Sequence, residues 1–492
     1  MLIRNKILSH AILILLLISA FPLIAQFGSE NASADSPEVW NQTSGNLAST
    51  DANWLDGTKP IAGDNIIFNA TSTGSCTWDL ALALGSFTMT ADYSGTVTIA
   101  ANTNWGTTGD ITIASGTLTG VLSSMVTCAG NFVRTGGTIT NYLLMLTMTG
   151  VGKTLTFSAG GNMASLNIGP GASITNLAGF FIYGDTAGLQ IQAGGNVILN
   201  SVMYLNFYSG YTFSNAGTIS GASEFGLLLY NGDHTITLGT ITSPLLVNAI
   251  APATANRVLT LTANTVIGNR LTVNSDHVSN TMTLDLSVSN YALSATDITI
   301  GTRGILNGRA STITCSGNWG SSAGTFTAGT STLVMSGATK TIKTANSNGA
   351  PYNFQESGTT TTSSSINITH SLTVDNGKTL TVGAGKTVDL NCSNGGTYSN
   401  LGTIAGTGTM EYSFSTADKT LTFGVVNAPV RVRAISTATA NRTMTLSTDR
   451  VLGSTLLVNS DHASNTMTID ARAVYFGAVG AITEGTRGDI LY

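Results

Sequence analysis

Charge is what this chain has least of. Only 9% of its 492 residues are Asp, Glu, Lys or Arg, against roughly 25% in an ordinary soluble domain. The 20 basic residues form no cluster, and the net charge is −5. Nucleic acid is excluded as a partner, because neutralising phosphates takes grouped Lys and Arg. Disorder is excluded too: disordered chains lack apolar residues, and this one is 42% hydrophobic. No helical period appears after the N-terminal segment, and no later stretch is long and apolar enough to cross a membrane. There is no Asp-Asp pair and no Gly-His-Gly run, so the paired acids of a polysaccharide-cleaving site are missing as a local motif. Cysteine is down to four.

The N-terminus is the one long apolar run. Arg4 and Lys6 precede Ala11 to Ile18, and Ala32-Ser33-Ala34 follows as a small-residue cleavage site. Residues 1–34 therefore read as a signal peptide. The runner-up is an uncleaved anchor, since Ile7 to Ala25 is just long enough to span a bilayer. Either way the product is secreted or at the cell surface, with membrane contact only through this segment. Export invites a disulfide reading of the cysteines. Against it, Cys128 and Cys315 hold equivalent positions in TCAGNF and TCSGNW. They should lie far apart in a stacked repeat, each as a small buried residue.

What the chain does have is repetition. VNSDHVSNTMTLD at Val273 returns as VNSDHASNTMTID at Val458, an offset of 458 − 273 = 185. SNAGTISG at Ser214 matches SNLGTIAG at Ser399, and ATANR at Ala253 matches ATANR at Ala438. DITI at Asp110, DITI at Asp297 and AITE at Ala481 mark the starts of units. The expected organisation is a cap with first coils at 35–109, one unit at 110–296, a second at 297–480 and a truncated third at 481–492. Within the units, strand-like runs of three to five residues recur between Gly, Asn, Ser and Asp. In TMTLD, Met282 and Leu284 alternate with Thr281, Thr283 and Asp285, the period of a strand with one buried face.

Short strands, Gly/Asn corners and few charges favour an all-β parallel solenoid over tandem β-sandwich domains. Sandwich strands run longer, and stacked like charges would repel along a ladder. A coil on the order of 22 residues gives roughly 20 coils, a rod near 100 Å at about 4.8 Å each. The opening residues Trp40, Trp54, Pro60 and Phe68 have no counterpart later and suit the cap that a solenoid needs.

The pattern W…NW…P.AGD.I.F, the block Cys315–Ile342 (CSGNWGSSAGTFTAGTSTLVMSGATKTI) and Asn376–Leu390 resemble secreted β-helix repeat proteins of bacterial and archaeal surfaces. The resemblance implies a right-handed parallel β-helix, export and an adhesin-like, non-enzymatic role, with surface glycans or other surface proteins as partners. It implies no common active site. Such proteins usually end in an anchoring segment; GTRGDILY is none, so the expectation is an incomplete product or a partner over that end.

Four features are candidates for function. Asp276 with His277, and their copies Asp461 with His462, are polar enough for calcium, though Asn, Ser and Asp also turn tight corners unaided. The stretch Tyr204–Phe213, with Tyr204, Phe207, Tyr208 and Tyr211, is aromatic where its counterpart Asp389–Tyr398 is not. The fold does not demand these rings, so they are a candidate contact patch, the alternative being interior stacking within one coil. Thr-X-Thr runs, such as Thr235–Thr237 and Thr260–Thr262, raise a remote ice-binding alternative. Sequons at Asn41, Asn69, Asn367, Asn391 and Asn441 are possible glycosylation sites. The enzymatic alternative is a carbohydrate-active β-helix, which needs acids brought together from separate coils. Arg431 and Arg433 have no acidic neighbour in sequence.

Overall fold

Small β-branched residues between tight corners leave the chain little choice but to wind. A computed structural model describes residues 37–492, apart from 121–124, 141–144, 159–160, 184–187, 209, 345–348 and 393–394. The predicted signal segment lies outside the described residues. The chain forms a parallel β-solenoid of about 18 turns, 50% strand and 1% helical. At about 4.8 Å per turn the rod is roughly 85 Å long.

A full turn has three sides with one strand on each, except that no side-three strand is described between Lys340–Thr344 and Asn353–Glu356. Side one runs from Asn65–Phe68 to Tyr398–Asn400 and continues through Lys419–Leu421 to Gly488–Leu491. Side two begins at Cys76–Trp78 and passes through Met203–Phe207, Leu271–Ser275 and Thr379–Val382. Side three begins at Ala83–Leu84 and passes through Arg257–Leu261 and Thr387–Asn391 to Ile482–Glu484. Turn length is not constant. The Asn353↔Ser371 pairing closes a short turn, and Thr265↔Leu293 a much longer one.

Alternation builds the core. Met282 and Leu284 are fully buried, as TMTLD requires, and Val247 stacks on Val273 in register. Each such side chain removed from water contributes about 1.5–3 kcal/mol, and parallel stacking repeats the gain at every coil. Asn at the corners satisfies backbone groups that the ladders leave over. Asn215 Nδ2 donates to the Leu238 carbonyl at 2.9 Å, and its copy Asn400 to that of Phe423 at 3.0 Å. Gly221 and its copy Gly406 sit at φ +111° and +106°, a region only glycine occupies cheaply. A Cβ at Gly221 would stand 2.4 Å from the Leu199 carbonyl oxygen.

Residues 38–54 close the first coil. Glu38–Val39 adds a short parallel strand on Asn65–Phe68, and Leu47 bridges to Thr77. The Trp54 ring packs on Trp40, Phe68 and Trp78 at 5.3, 6.3 and 6.4 Å. All four cysteines are buried and free.

The duplication and the winding do not share a period. Ile298–Ile300 is the twenty-fifth strand after Ile111–Ile113 (33 − 8 = 25 in chain order), one more than a multiple of three. The unit is therefore eight turns plus one side. Ile111–Ile113 lies on side one, Ile298–Ile300 on side two and Ile482–Glu484 on side three. Likewise Cys128 is on side three and Cys315 on side one. The first VNSDH copy, in Leu271–Ser275, is on side two, and the second, in Leu456–Ser460, on side three.

Candidate functional site

The outer layer of the Met203–Phe207 strand and its equivalent Thr387–Asn391 is where the two units part. Alternation sends Met203, Leu205 and Phe207 inward and Tyr204 and Asn206 outward, and Phe207 is fully buried. Phe207 packs against His234 at 4.5 Å, the rings tilted. It belongs to the core, a correction to its place in the aromatic patch. Tyr211 also packs partly against the core. Tyr204 stays at the surface and gains neighbours that sequence order hides. Its ring lies 5.2 Å from that of Phe181 on the preceding turn, and Phe181 is 5.8 Å from Tyr183. Around the corner, Tyr208 meets Tyr230 at 4.8 Å and Tyr211 at 5.2 Å. The patch is thus made by successive turns, not by one aromatic stretch.

On the second unit the equivalent layer is ionic. Asp389 replaces Tyr204, and Glu411, Arg431 and Arg433 stand, at the same offset, where the first unit has Gly226, Leu246 and Asn248. Register stacks Asp389, Glu411 and Arg431 on consecutive turns. Arg433 Nε donates to Glu411 Oε1 at 2.6 Å, and Arg431 Nη1 to Glu411 Oε2 at 3.3 Å. Both guanidiniums also bind Asp461, Arg431 at 3.0 Å, and Arg433 reaches Asp389 at 3.6 Å. Glu411 is almost fully buried. Burial raises its carboxyl pKa, as does the Asp389 charge, against the pull of Arg433 and Arg431. Burial also raises Asp389, against a hydrogen bond from Ser413 and the two arginines. Asp461 is held low: its partial burial is outweighed by the Arg433 hydrogen bond and the charges of Arg431 and Arg433. Three acids do converge, but with two arginines threaded between them.

The NSDH corners hold themselves. The strand runs through Ser275, so the corner starts at Asp276. His277 Nδ1 accepts from the backbone N–H groups of Ser279 at 3.0 Å and Asn280 at 2.9 Å, and His462 repeats this with Ser464 and Asn465. Asp276 accepts from Asn248 at 2.6 Å and Asn274 at 2.9 Å. Among the described residues no group of three or more His, Cys, Asp or Glu is arranged to hold a metal. Replacing His277 by Ala removes two accepted bonds worth about 1 kcal/mol each. Faster hydrogen exchange at Ser279 and Asn280 is the expected result, with no change in melting temperature on adding calcium to the native chain. A calcium-dependent rise in melting temperature would count against the corner reading.

The Thr-X-Thr runs divide. Thr235 pairs with Thr260, but the next turn sets Asp285 opposite Thr260, which ends that ladder. A better one runs through residues not singled out from sequence: Thr96, Thr117 and Thr138, beside Thr77, Thr98, Thr119 and Thr140. Of the sequons, Asn367 and Asn441 are exposed while Asn41, Asn69 and Asn391 are half-buried, and the Asn441 side-chain oxygen accepts from the Thr466 N–H at 2.9 Å.

By fold, then, this is a parallel β-solenoid whose described residues include an aromatic and an ionic outer patch. No protein-family model, curated protein or solved structure matches it.

Proposed function

We propose that this protein is an exported, adhesin-like scaffold of the cell surface, a stiff rod that carries contact surfaces and performs no chemistry. The observation that carries this reading is the contrast between layers. The inner layer keeps its apolar pattern through both units, Glu356 excepted, while outer positions change from Tyr204 and Gly226 to Asp389 and Glu411. Such a frame supports surface change without loss of the core. Protease treatment of intact cells tests it: loss of the rod from the cell fraction or medium is expected, while cytosolic markers survive. Full protection in intact cells would overturn it.

The convergence of Asp389, Glu411 and Asp461 favours a second reading, a carbohydrate-active enzyme. Against it, Arg431 and Arg433 occupy both oxygens of Glu411, leaving no free acid–base pair of the kind glycoside cleavage uses. Incubation with pectin, alginate and xylan should release no new reducing or unsaturated ends. Release that disappears in Glu411→Gln would establish the enzyme.

A further inference from the structure

We propose that the outer aromatic layer of side two binds a neutral, hydroxyl-rich glycan, with one sugar ring stacked on Tyr204 and Phe181. This deepens the scaffold reading by naming the ligand class, and it rests on that reading only for where the ligand is met.

Tyr204 is presented as a platform. The residue opposite it on the next turn is Gly226, and a Cβ there would stand 2.3 Å from Tyr204 Cδ1 and 2.7 Å from Cε1. The ring therefore lies against bare backbone. The ring has the Gly226 backbone on one side and the Phe181 ring of the preceding turn on the other, and the half-buried layer they form is the surface offered to a ligand. Phe181 and Tyr183 extend the platform across the neighbouring turn. Flat aromatic faces suit the C–H faces of a pyranose, whereas a protein anchor fills a pocket. Of the two acids whose charge acts on Tyr204, Glu224 is paired with Arg270 at 3.6 Å and Asp276 accepts from Asn248 and Asn274, an arrangement that, among these described residues, leaves no free cation for an anionic sugar.

A second observation points to a hydroxyl. Asn206, the next outward residue on the Tyr204 strand, is 3% exposed, and its Oδ1 is buried with no hydrogen-bond partner. A buried acceptor without a donor is costly, and native structures rarely leave one unexplained. A sugar hydroxyl is the donor that a ligand stacked on the same strand would bring. The fold itself asks for none of this. By register and repeat, Asn367, Asp389 and Glu411 replace Phe181, Tyr204 and Gly226 on the second unit, and the strands still pair.

Affinity electrophoresis of the full chain in gels holding mannan, β-1,3-glucan, xylan or hydroxyethyl cellulose tests the proposal. Retardation in at least one gel is expected. Tyr204→Ala and Asn206→Leu should each weaken it ten-fold or more with an unchanged circular dichroism spectrum, and Asp389→Asn should leave it intact. Phe181→Ser supplies a second platform variant should Tyr204→Ala misfold. No retardation in any gel overturns the glycan, as does retardation that survives loss of Tyr204 and Phe181. Retardation by a protein ligand alone would move the patch to a protein partner. These outcomes are independent of the protease experiment, so the scaffold reading and the glycan can fail separately.

Discussion

Replacing Glu356 by Gln is expected to flatten a loss of stability that the native chain suffers between about pH 5 and pH 8. Glu356 points inward beside Phe354 and is fully buried. Its Oε1 accepts from the Gly358 N–H at 2.9 Å. Burial pushes this carboxyl up to about 8, and the Asp375 charge adds to it. The Thr360 hydroxyl, the Gly358 N–H and the Lys378 charge pull the other way without offsetting it. The folded state thus holds a proton that the unfolded chain releases near its ordinary value of 4.5. Stability from the protonated form is complete below that value and is lost as pH rises to the folded one. At 1.36 kcal/mol per unit, the loss is on the order of 4 kcal/mol. Gln keeps the neutral shape at every pH. Urea unfolding at pH 5 and pH 8, with hydrogen exchange at Phe354 to Gly358, measures the difference between the two proteins. Equal pH slopes would falsify this account.

Trp54→Ala should cost about 3–5 kcal/mol, the range for emptying a large buried aromatic site, with the damage confined to one end. The indole is 1% exposed, donates through Nε1 to the Ala48 carbonyl at 2.8 Å, and is wedged between Trp40 and Trp78. In a stacked array each turn leans mainly on its neighbours, so opening the first coil exposes the next. Amide exchange should accelerate at Asn65–Phe68 and Cys76–Trp78 and stay slow at Leu456–Ser460. Uniform acceleration would mean that the rod melts as one unit and that the Trp cluster does not act as a separate closure.

How far the sequence carried the fold follows from where each signal sits. TMTLD revealed its inward face because alternation is local, and a corner near NSDH was legible from its small polar residues, though not that His277 Nδ1 accepts the corner's N–H groups. The offset between the two units was equally plain, yet not the side on which each copy falls. That depends on counting corners, and turns of unequal length blur the count. The ionic patch was invisible for the same reason. Asp389, Glu411 and Arg431 follow one another at intervals of a full turn, and only the register of the strands makes them neighbours. Phe207 was placed on the surface because a crowd of aromatics was read as one patch. Strict alternation from Met203 would have sent it inside. Glu356 carried a signal too, a carboxylate at the inward position of NFQE, but one residue against the pattern reads as noise until burial is seen.

The extra side in each unit has a consequence for what the rod can touch. Eight turns and a third advance a surface feature roughly 40 Å at about 4.8 Å per turn and swing it by a third of a revolution. The aromatic layer around Tyr204 and the ionic layer around Glu411 therefore look in different compass directions, on sides two and three. A flat partner lying along the rod meets one and misses the other. Each layer was thus free to diverge without reference to its twin, and duplication gave this chain two surfaces that face apart rather than one wider surface.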